Sequence, residues 1–371
     1  MKADVLIIGG GIQGCATAYH LARKGASVIV VEKDYSGRHA SGVNAGGVRL
    51  LGRDMAEVPL SKASMEMWQT LDEDLGHDTG FRRQTLVNIA VDEVDLATVQ
   101  AREAKMRDAG FTHERIIDQA ELRERLPHVS SDCVGGVISE LDGYAIPFKA
   151  TSAFRLAAEN YGAQVIEGEE ILGLRRVGDA WLAQGARHRY EAETVVNCAG
   201  AWADKIALMI GDNVPLSHAA PMLMITARMP LFAKPVVGAI SRQLSFKQFE
   251  NGTVLIGGGA KGFADRANNR TRLDYAKLAA ACRTTAEFFP IMRKASINRM
   301  WAGLEAYMPD NLPVIGPAVN APRAFHAFGF SAHGFQMGPV VGQVLADLVM
   351  GGQSRFNLSP FRIDRFDRKV L

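Results

Sequence analysis

The run from Ala3 to Glu32 constrains this chain more than any other stretch. Ala3-Asp4-Val5-Leu6-Ile7-Ile8 is apolar and β-branched, the pattern of a short buried strand. Gly9, Gly11 and Gly14 follow as GxGxxG, and Cys15 to Lys24 reads as a helix with Ala16, Ala18, Leu21 and Ala22 at its small and apolar positions. Gly25 stops that helix, and Ser27 to Val31 is a second apolar strand ending in Glu32. Each part has a physical task. Gly9 permits a tight turn, Gly11 lets the backbone approach a pyrophosphate, and Gly14 lets the helix lie close on the strand. The amides at the helix start, those of Ile12 and Gln13 among them, offer donors and a partial positive charge to phosphates. Glu32, followed by Lys33, accepts hydrogen bonds from ribose hydroxyls and repels a 2′-phosphate. A glycine-rich turn alone says little. Set between strand, helix and acid, it marks a dinucleotide site.

Composition narrows the class. At about 150 residues per domain, 371 residues suggest two or three domains or one large interleaved body. The net charge of +2 is too balanced for a general nucleic-acid binder. Cys15, Cys133, Cys198 and Cys282 form no cluster of metal-ligand spacing, so no metal is expected. No stretch reaches the roughly 18 apolar residues of a membrane span, no leader is visible, and a cytoplasmic location is expected.

The segment Arg38 to Arg49 crowds small and polar residues, Ala40, Ser41, Asn44, Ala45, Gly46 and Gly47, without helical or strand period. That suits a loop laid against a flat ligand.

Several separated motifs then resemble one family. They are the GxGxxG with Glu32, the Ser41-Gly42-x-Asn44-Ala45-Gly46 loop, Leu122 to Pro127, and Asp142 to Pro147. Val195 to Trp202, including Ala199 and Gly200, Trp301-Ala302-Gly303, Pro309 to Pro313 and Gly329 to Phe335 complete the series. In order, they resemble the FAD-dependent amine and amino-acid oxidoreductases of the D-amino-acid oxidase superfamily, in particular its sarcosine and glycine oxidase branch. The resemblance implies an α/β fold plus an antiparallel sheet. A Rossmann-like FAD-binding domain (1–80, 139–212 and 299–371) would interleave with a substrate domain (81–138 and 213–298) built on a large, mainly antiparallel sheet. Thr85 to Asp92, Met222 to Thr226, Leu244 to Phe249 and Thr253 to Ile256 read as strands of that sheet, with Asn251-Gly252 as a hairpin turn.

The resemblance also implies the cofactor contacts. Ile171 occupies the adenine position. Gly329, His333, Gly334, Phe335, Gln336 and Met337 precede a helix from Gly338 to Met350, with Pro339 near its start, whose dipole would face the flavin. The implied reaction oxidises a small amine or amino acid to an imine, with hydride transfer to flavin N5. Proline, hydroxyproline, opine, glycine, sarcosine and D-amino-acid substrates all belong to the class. Arg49 is the candidate base beside the flavin, and Lys247, Gln248, Tyr307 and His333 are further pocket candidates.

Two departures stand out. Gly303 occupies the position where monomeric sarcosine oxidase anchors FAD through a cysteine, so FAD is expected to be noncovalent. Leu255 occupies the position of an oxygen-activating lysine, which favours a dehydrogenase over an oxidase. The hairpin resembles β subunits of heteromeric proline, hydroxyproline and opine dehydrogenases, implying partner subunits with a further electron carrier. Two other readings stay open: oxidation of a 2-hydroxy acid or glycerol phosphate, and a non-catalytic FAD-binding subunit.

Overall fold

The apolar strand at the N-terminus, Lys2–Ile8, lies in the middle of an eight-stranded sheet. In this computed structural model, which describes residues 1–366, it pairs in parallel with Val28–Val31 on one side and Arg189–Asn197 on the other. Gln164–Ile166 and Ala324–Phe328 extend the parallel set at either flank. Residues 367–371, the end of the stretch assigned from sequence to the cofactor part, lie outside the described residues.

The absence of polar alternation in Val5 to Ile8 has a simple cause: both faces are covered. Val5 and Ile7 pack into a core with Ile12, Ala16, Phe154 and Val341, while Leu6 and Ile8 pack with Trp181, Tyr190 and Ile206. The first core is built by four helices, Ile12–Arg23, Val58–Leu75, Pro147–Asn160 and Gly334–Val349. The last of these lies directly on the first. A Cβ added at Gly338 would come 2.8 Å from Ile12, and one at Gly342 2.6 Å from Ala16.

That C-terminal helix begins at Gly334, four residues before the expected start, so Pro339 stands inside it. The early start has a cause in packing. The Gln336 carbonyl accepts from Ser64 Oγ (2.6 Å) and Trp68 Nε1 (2.8 Å), which fixes the first turn from outside.

A second sheet has eleven strands, and Gly47–Val48, Gly143–Tyr144 and Arg82–Arg83 form a small third one. The pairings of the second sheet are antiparallel apart from Val236–Ala239 with Leu86–Ala90. Ser245–Gln248 and Val254–Gly257 form the hairpin expected around Asn251-Gly252. Gly252 there adopts φ 87°, a left-handed conformation that suits glycine, and the Phe249 N–H donates to the Thr253 carbonyl (2.9 Å). The strand expected from Met222 runs from Ser217 to Thr226, and Glu305–Tyr307 and Ile297–Ala302 pair along it in succession. Val87, Ile138, Met224, Phe246 and Phe289 form the core on one side of this sheet. Among the described residues no helix is long and apolar enough to cross a membrane, and the four cysteines are free.

Candidate functional site

Both sheets contribute to the wall of a continuous cavity of ≈ 730 Å³. The glycine turn after Lys2–Ile8 forms one end. Gly9 has φ 111°, and a Cβ there would fall 2.3 Å from the Cys198 carbonyl oxygen. A Cβ at Gly11 would fall 2.8 Å from Ser41 Oγ, the atom that accepts the Ile12 N–H (2.9 Å). Gly14 does not line the cavity. A Cβ there would meet the Gly9 carbonyl at 1.9 Å, so helix and turn touch backbone to backbone.

Glu32 lines the cavity at the end of Val28–Val31. Its Oε2 accepts from the Gly10 N–H (2.7 Å) and its Oε1 from the Asp34 N–H (2.9 Å), while burial pushes its carboxyl pKa up. Lys33 places its ammonium 3.3 Å from the centre of the Trp202 ring, a cation–π contact, and donates to Asn269 Oδ1 (3.2 Å). Asn269 Nδ2 donates to Asp34 (2.8 Å), and Arg266 donates to the Ala201 carbonyl and to Asp204. The turn between Lys261–Asp265 and Arg270–Arg272 therefore straps the eleven-stranded sheet to the end of the cavity that holds the glycine turn. No local sequence signal announces that strap.

Ala40, Ser41, Asn44, Ala45 and Gly47 line the cavity, joined by Ala199, Gly200 and Trp202 from the loop after Arg189–Asn197 and by Ile171. Gly46 stands behind them with φ 68°, where a Cβ would strike the Ala145 carbonyl at 2.1 Å. Gly303, Gly329, Gly334 and Phe335 line the far part. Gly303 leaves no room for a side chain, since its Cβ would lie 2.2 Å from Val43 Cγ2.

Three expected contacts point elsewhere. The His333 ring turns to Glu57, with Nδ1 3.0 Å from Oε2. Gln336 is buried under the helix start, its Nε2 donating to the Ser61 carbonyl (2.8 Å), and Met337 belongs to the core. None of the three lines the cavity.

The glycine cradle fits a dinucleotide, and so do the buried polar atoms around it. Gln13 Nε2 donates to the Gly334 carbonyl (2.8 Å), which leaves Gln13 Oε1 without a partner at the cavity wall. Ser36 Oγ, behind Gly10, is also unpaired. A glycine turn, helix-start amides and an acid at the second strand match the donors and acceptors that FAD presents.

At the other end Arg49, Glu305 and Tyr307 face the cavity with Leu223, Ser245 and Gly257. The Arg49 guanidinium donates no hydrogen bond to another described residue, and burial lowers its pKa against the pull of Asp142 and Glu57. Tyr307 donates its hydroxyl to Glu305 (3.2 Å), and burial pushes the phenol pKa up. Sequence reasoning missed Glu305, although Gly303, Glu305 and Tyr307 alternate as residues on one strand face would.

Lys247 lies under the cavity floor. Its ammonium donates to the Ala45 carbonyl and sits 4.7 Å and 5.5 Å from the Tyr144 and Phe249 ring centres, and burial brings its pKa down to about 7. Gln248 points to the opposite face. Its Oε1 accepts from the Phe232 and Ala233 N–H groups, and its Nε2 donates to Pro230 and Gly252, so it holds the hairpin. Leu255 is buried and does not line the cavity.

A family model described as "FAD dependent oxidoreductase" (DAO) matches residues 4–348. The chain is 25% identical to hydrogen cyanide synthase subunit HcnC of Pseudomonas aeruginosa, covering 98% of this chain and 96% of that one. It is 23% identical to an opine oxidase subunit of Rhizobium meliloti, over 99% and 98%. The crystal structure of L-proline dehydrogenase from P. horikoshii matches with a TM-score of 0.92 at 27% identity, covering 99% of this chain and 98% of that one.

Proposed function

Because this chain belongs to the DAO family of FAD-dependent oxidoreductases, we propose that it oxidises an amino acid or secondary amine carrying a carboxylate. The observation that carries this reading is the Arg49 guanidinium, set in the cavity wall with its donors unused. A planar guanidinium receives a carboxylate through two parallel hydrogen bonds, which fixes the substrate's orientation as well as its charge. Gly9, Gly11, Gln13, Ser41 and Glu32 would hold the dinucleotide, and Gly334 and Phe335 would border the isoalloxazine. Bound FAD supplies the acceptor for the two electrons and hydrogen that leave the substrate carbon. Leu223, Gly257, Phe330 and the Tyr307 ring exclude water around that carbon. Residues 1–80, 139–212 and 299–371 would form the FAD-binding part and 81–138 and 213–298 the substrate part, with Arg49 and Tyr307 reaching the substrate from the FAD-binding part.

A leucine at position 255, where the resembled oxidases carry a lysine, supports a dehydrogenase over an oxidase, and Lys247 across the hairpin gives its ammonium to the Ala45 carbonyl. The relatives named as subunits support a companion protein that receives the electrons. Free cysteines suit the reducing cytoplasm. A phosphate substrate would call for clustered bases, whereas Arg49 here shares the cavity with an acid.

The test is anaerobic flavin reduction. D- and L-amino acids, proline analogues, opines, glycine and sarcosine are mixed with the holoprotein beside 2-hydroxy acids, and bleaching near about 450 nm is followed. Reduction by at least one amine is expected. Reduction by a 2-hydroxy acid with none by any amine overturns the reading.

A further inference from the structure

Glu305 is the feature of the cavity that an amino-acid carboxylate does not explain. It stands on the short strand Glu305–Tyr307, opposite Ala219, and its carboxyl faces the cavity. Oε1 accepts from the Ala332 N–H (2.9 Å) and Oε2 from the Tyr307 hydroxyl (3.2 Å). Each oxygen keeps a further acceptor site. Among the described residues no lysine, arginine or histidine forms an ion pair with it. Lys261, the cation that acts on it through space, is exposed and sits over the Tyr307 ring at 3.8 Å. Arg242, also on the cavity wall, is drawn away to Glu287 and the Phe288 ring.

This end of the cavity therefore carries a guanidinium and a carboxyl, Arg49 and Glu305, neither of which has an ion-pair partner among the described residues. We propose that Glu305 determines specificity by receiving a non-reacting cationic group of the substrate, an ammonium or guanidinium, while Arg49 holds the carboxylate. The preferred substrate class is an amino acid or secondary amine with a basic second group. This deepens the proposed function by naming the far end of its substrate.

Two physical arguments carry the assignment. A carboxyl removed from water without a counter-ion is unfavourable as an anion, and burial pushes the Glu305 pKa up accordingly. A bound cation would relieve that penalty, whereas a second carboxylate would add to it. The structural task of Glu305 is also separable from its charge. The turn it touches, where Ser331 and Ala332 adopt φ 49° and 73°, is held independently: Ser331 N–H donates to the Ala306 carbonyl, and Ser331 Oγ accepts from the Met308 N–H. A glutamine amide oxygen would still accept from Ala332.

The experiment uses ligands that lack an α-amine, so it does not depend on turnover. Holoprotein is titrated with 4-guanidinobutyrate, hexanoate and adipate, and the perturbation of the flavin spectrum gives each dissociation constant. Wild type should bind 4-guanidinobutyrate about tenfold to a hundredfold more tightly than hexanoate, with adipate weakest. Glu305→Gln should remove the difference between the first two without shifting the melting temperature. Glu305→Lys should make adipate the tightest of the three. Equal binding of 4-guanidinobutyrate and hexanoate by wild type, no binding of the guanidinium ligand, or an unchanged ratio in Glu305→Gln overturns the proposal. Failure of every amine to reduce the flavin would remove the proposed reaction and leave this binding ratio standing.

Discussion

Lys247 and Leu255 stand directly opposite each other across the hairpin, and the ammonium of Lys247 is sealed between the Ala45 carbonyl and two aromatic rings. Among the described residues no carboxylate pairs with it. The floor of the cavity thus contains a buried amine whose pKa falls from the ordinary 10.5 to about 7, with desolvation as the cause.

That shift makes stability pH-dependent. Between about pH 7 and 10.5 the unfolded chain holds a proton on Lys247 that the folded chain has released. Stability therefore rises with pH through this window. Lys247→Met should raise the melting temperature most at pH 7 and below, and the gain should fade toward pH 10. The full difference is about 5 kcal/mol at most, reduced by the lost hydrogen bond to Ala45. A gain that is constant across pH would show that charge is not the cause.

Glu32→Ala should weaken FAD binding by about tenfold to a hundredfold, since it removes charged acceptors for ribose and for the Gly10 N–H. Flavin fluorescence titration measures it. Acid precipitation of the wild type should leave the flavin in the supernatant, because Gly303 has Val43 where a linking side chain would stand. Yellow colour in the pellet would contradict noncovalent binding.

The strap predicts a kinetic effect. Asn269→Ala and Arg266→Ala each remove contacts that tie the hairpin to Asp34 and Asp204. Flavin release from the diluted holoprotein should accelerate about tenfold, the size expected for losing one charge-assisted bond. Turnover at saturating FAD should stay unchanged. Release at the wild-type rate would mean that the strap does not gate the cofactor.

Arg49→Lys keeps the charge and loses the fork. With the substrate found by flavin reduction, kcat/KM should drop on the order of a hundredfold, mostly through KM. A variant matching wild type would place the substrate carboxylate elsewhere.

Reduced flavin should react slowly with oxygen, because the side chain at position 255 supplies no positive charge for developing superoxide. One such missing contact is worth about 10²–10³ in rate. Anaerobic reduction followed by mixing with aerated buffer, beside a dye acceptor, measures it. Reoxidation by air as fast as by dye would show that Leu255 is not limiting.

The dinucleotide turn is legible in the sequence because its physics is local. Strand, glycines, helix and acid follow one another within the first 32 residues, and Gly14 answers a contact with Gly9 inside the turn itself, whereas the Cys198 and Ser41 contacts of Gly9 and Gly11 come from the fold. The Asn251-Gly252 hairpin is legible for the same reason. The substrate end is not. Lys247 and Gln248 are neighbours in sequence but point to opposite faces, and only sheet packing decides that one lies under the cavity and the other holds backbone. His333 and Gln336 look like flavin contacts until the helix starts at Gly334 and turns them toward Glu57 and Ser61. The strap joins Lys33 to Asn269 across 236 residues. Local propensity carries no information about a contact at that separation. Burial between two sheets creates it, and the same burial decides which charges, Arg49 and Glu305, are left without ion-pair partners among the described residues.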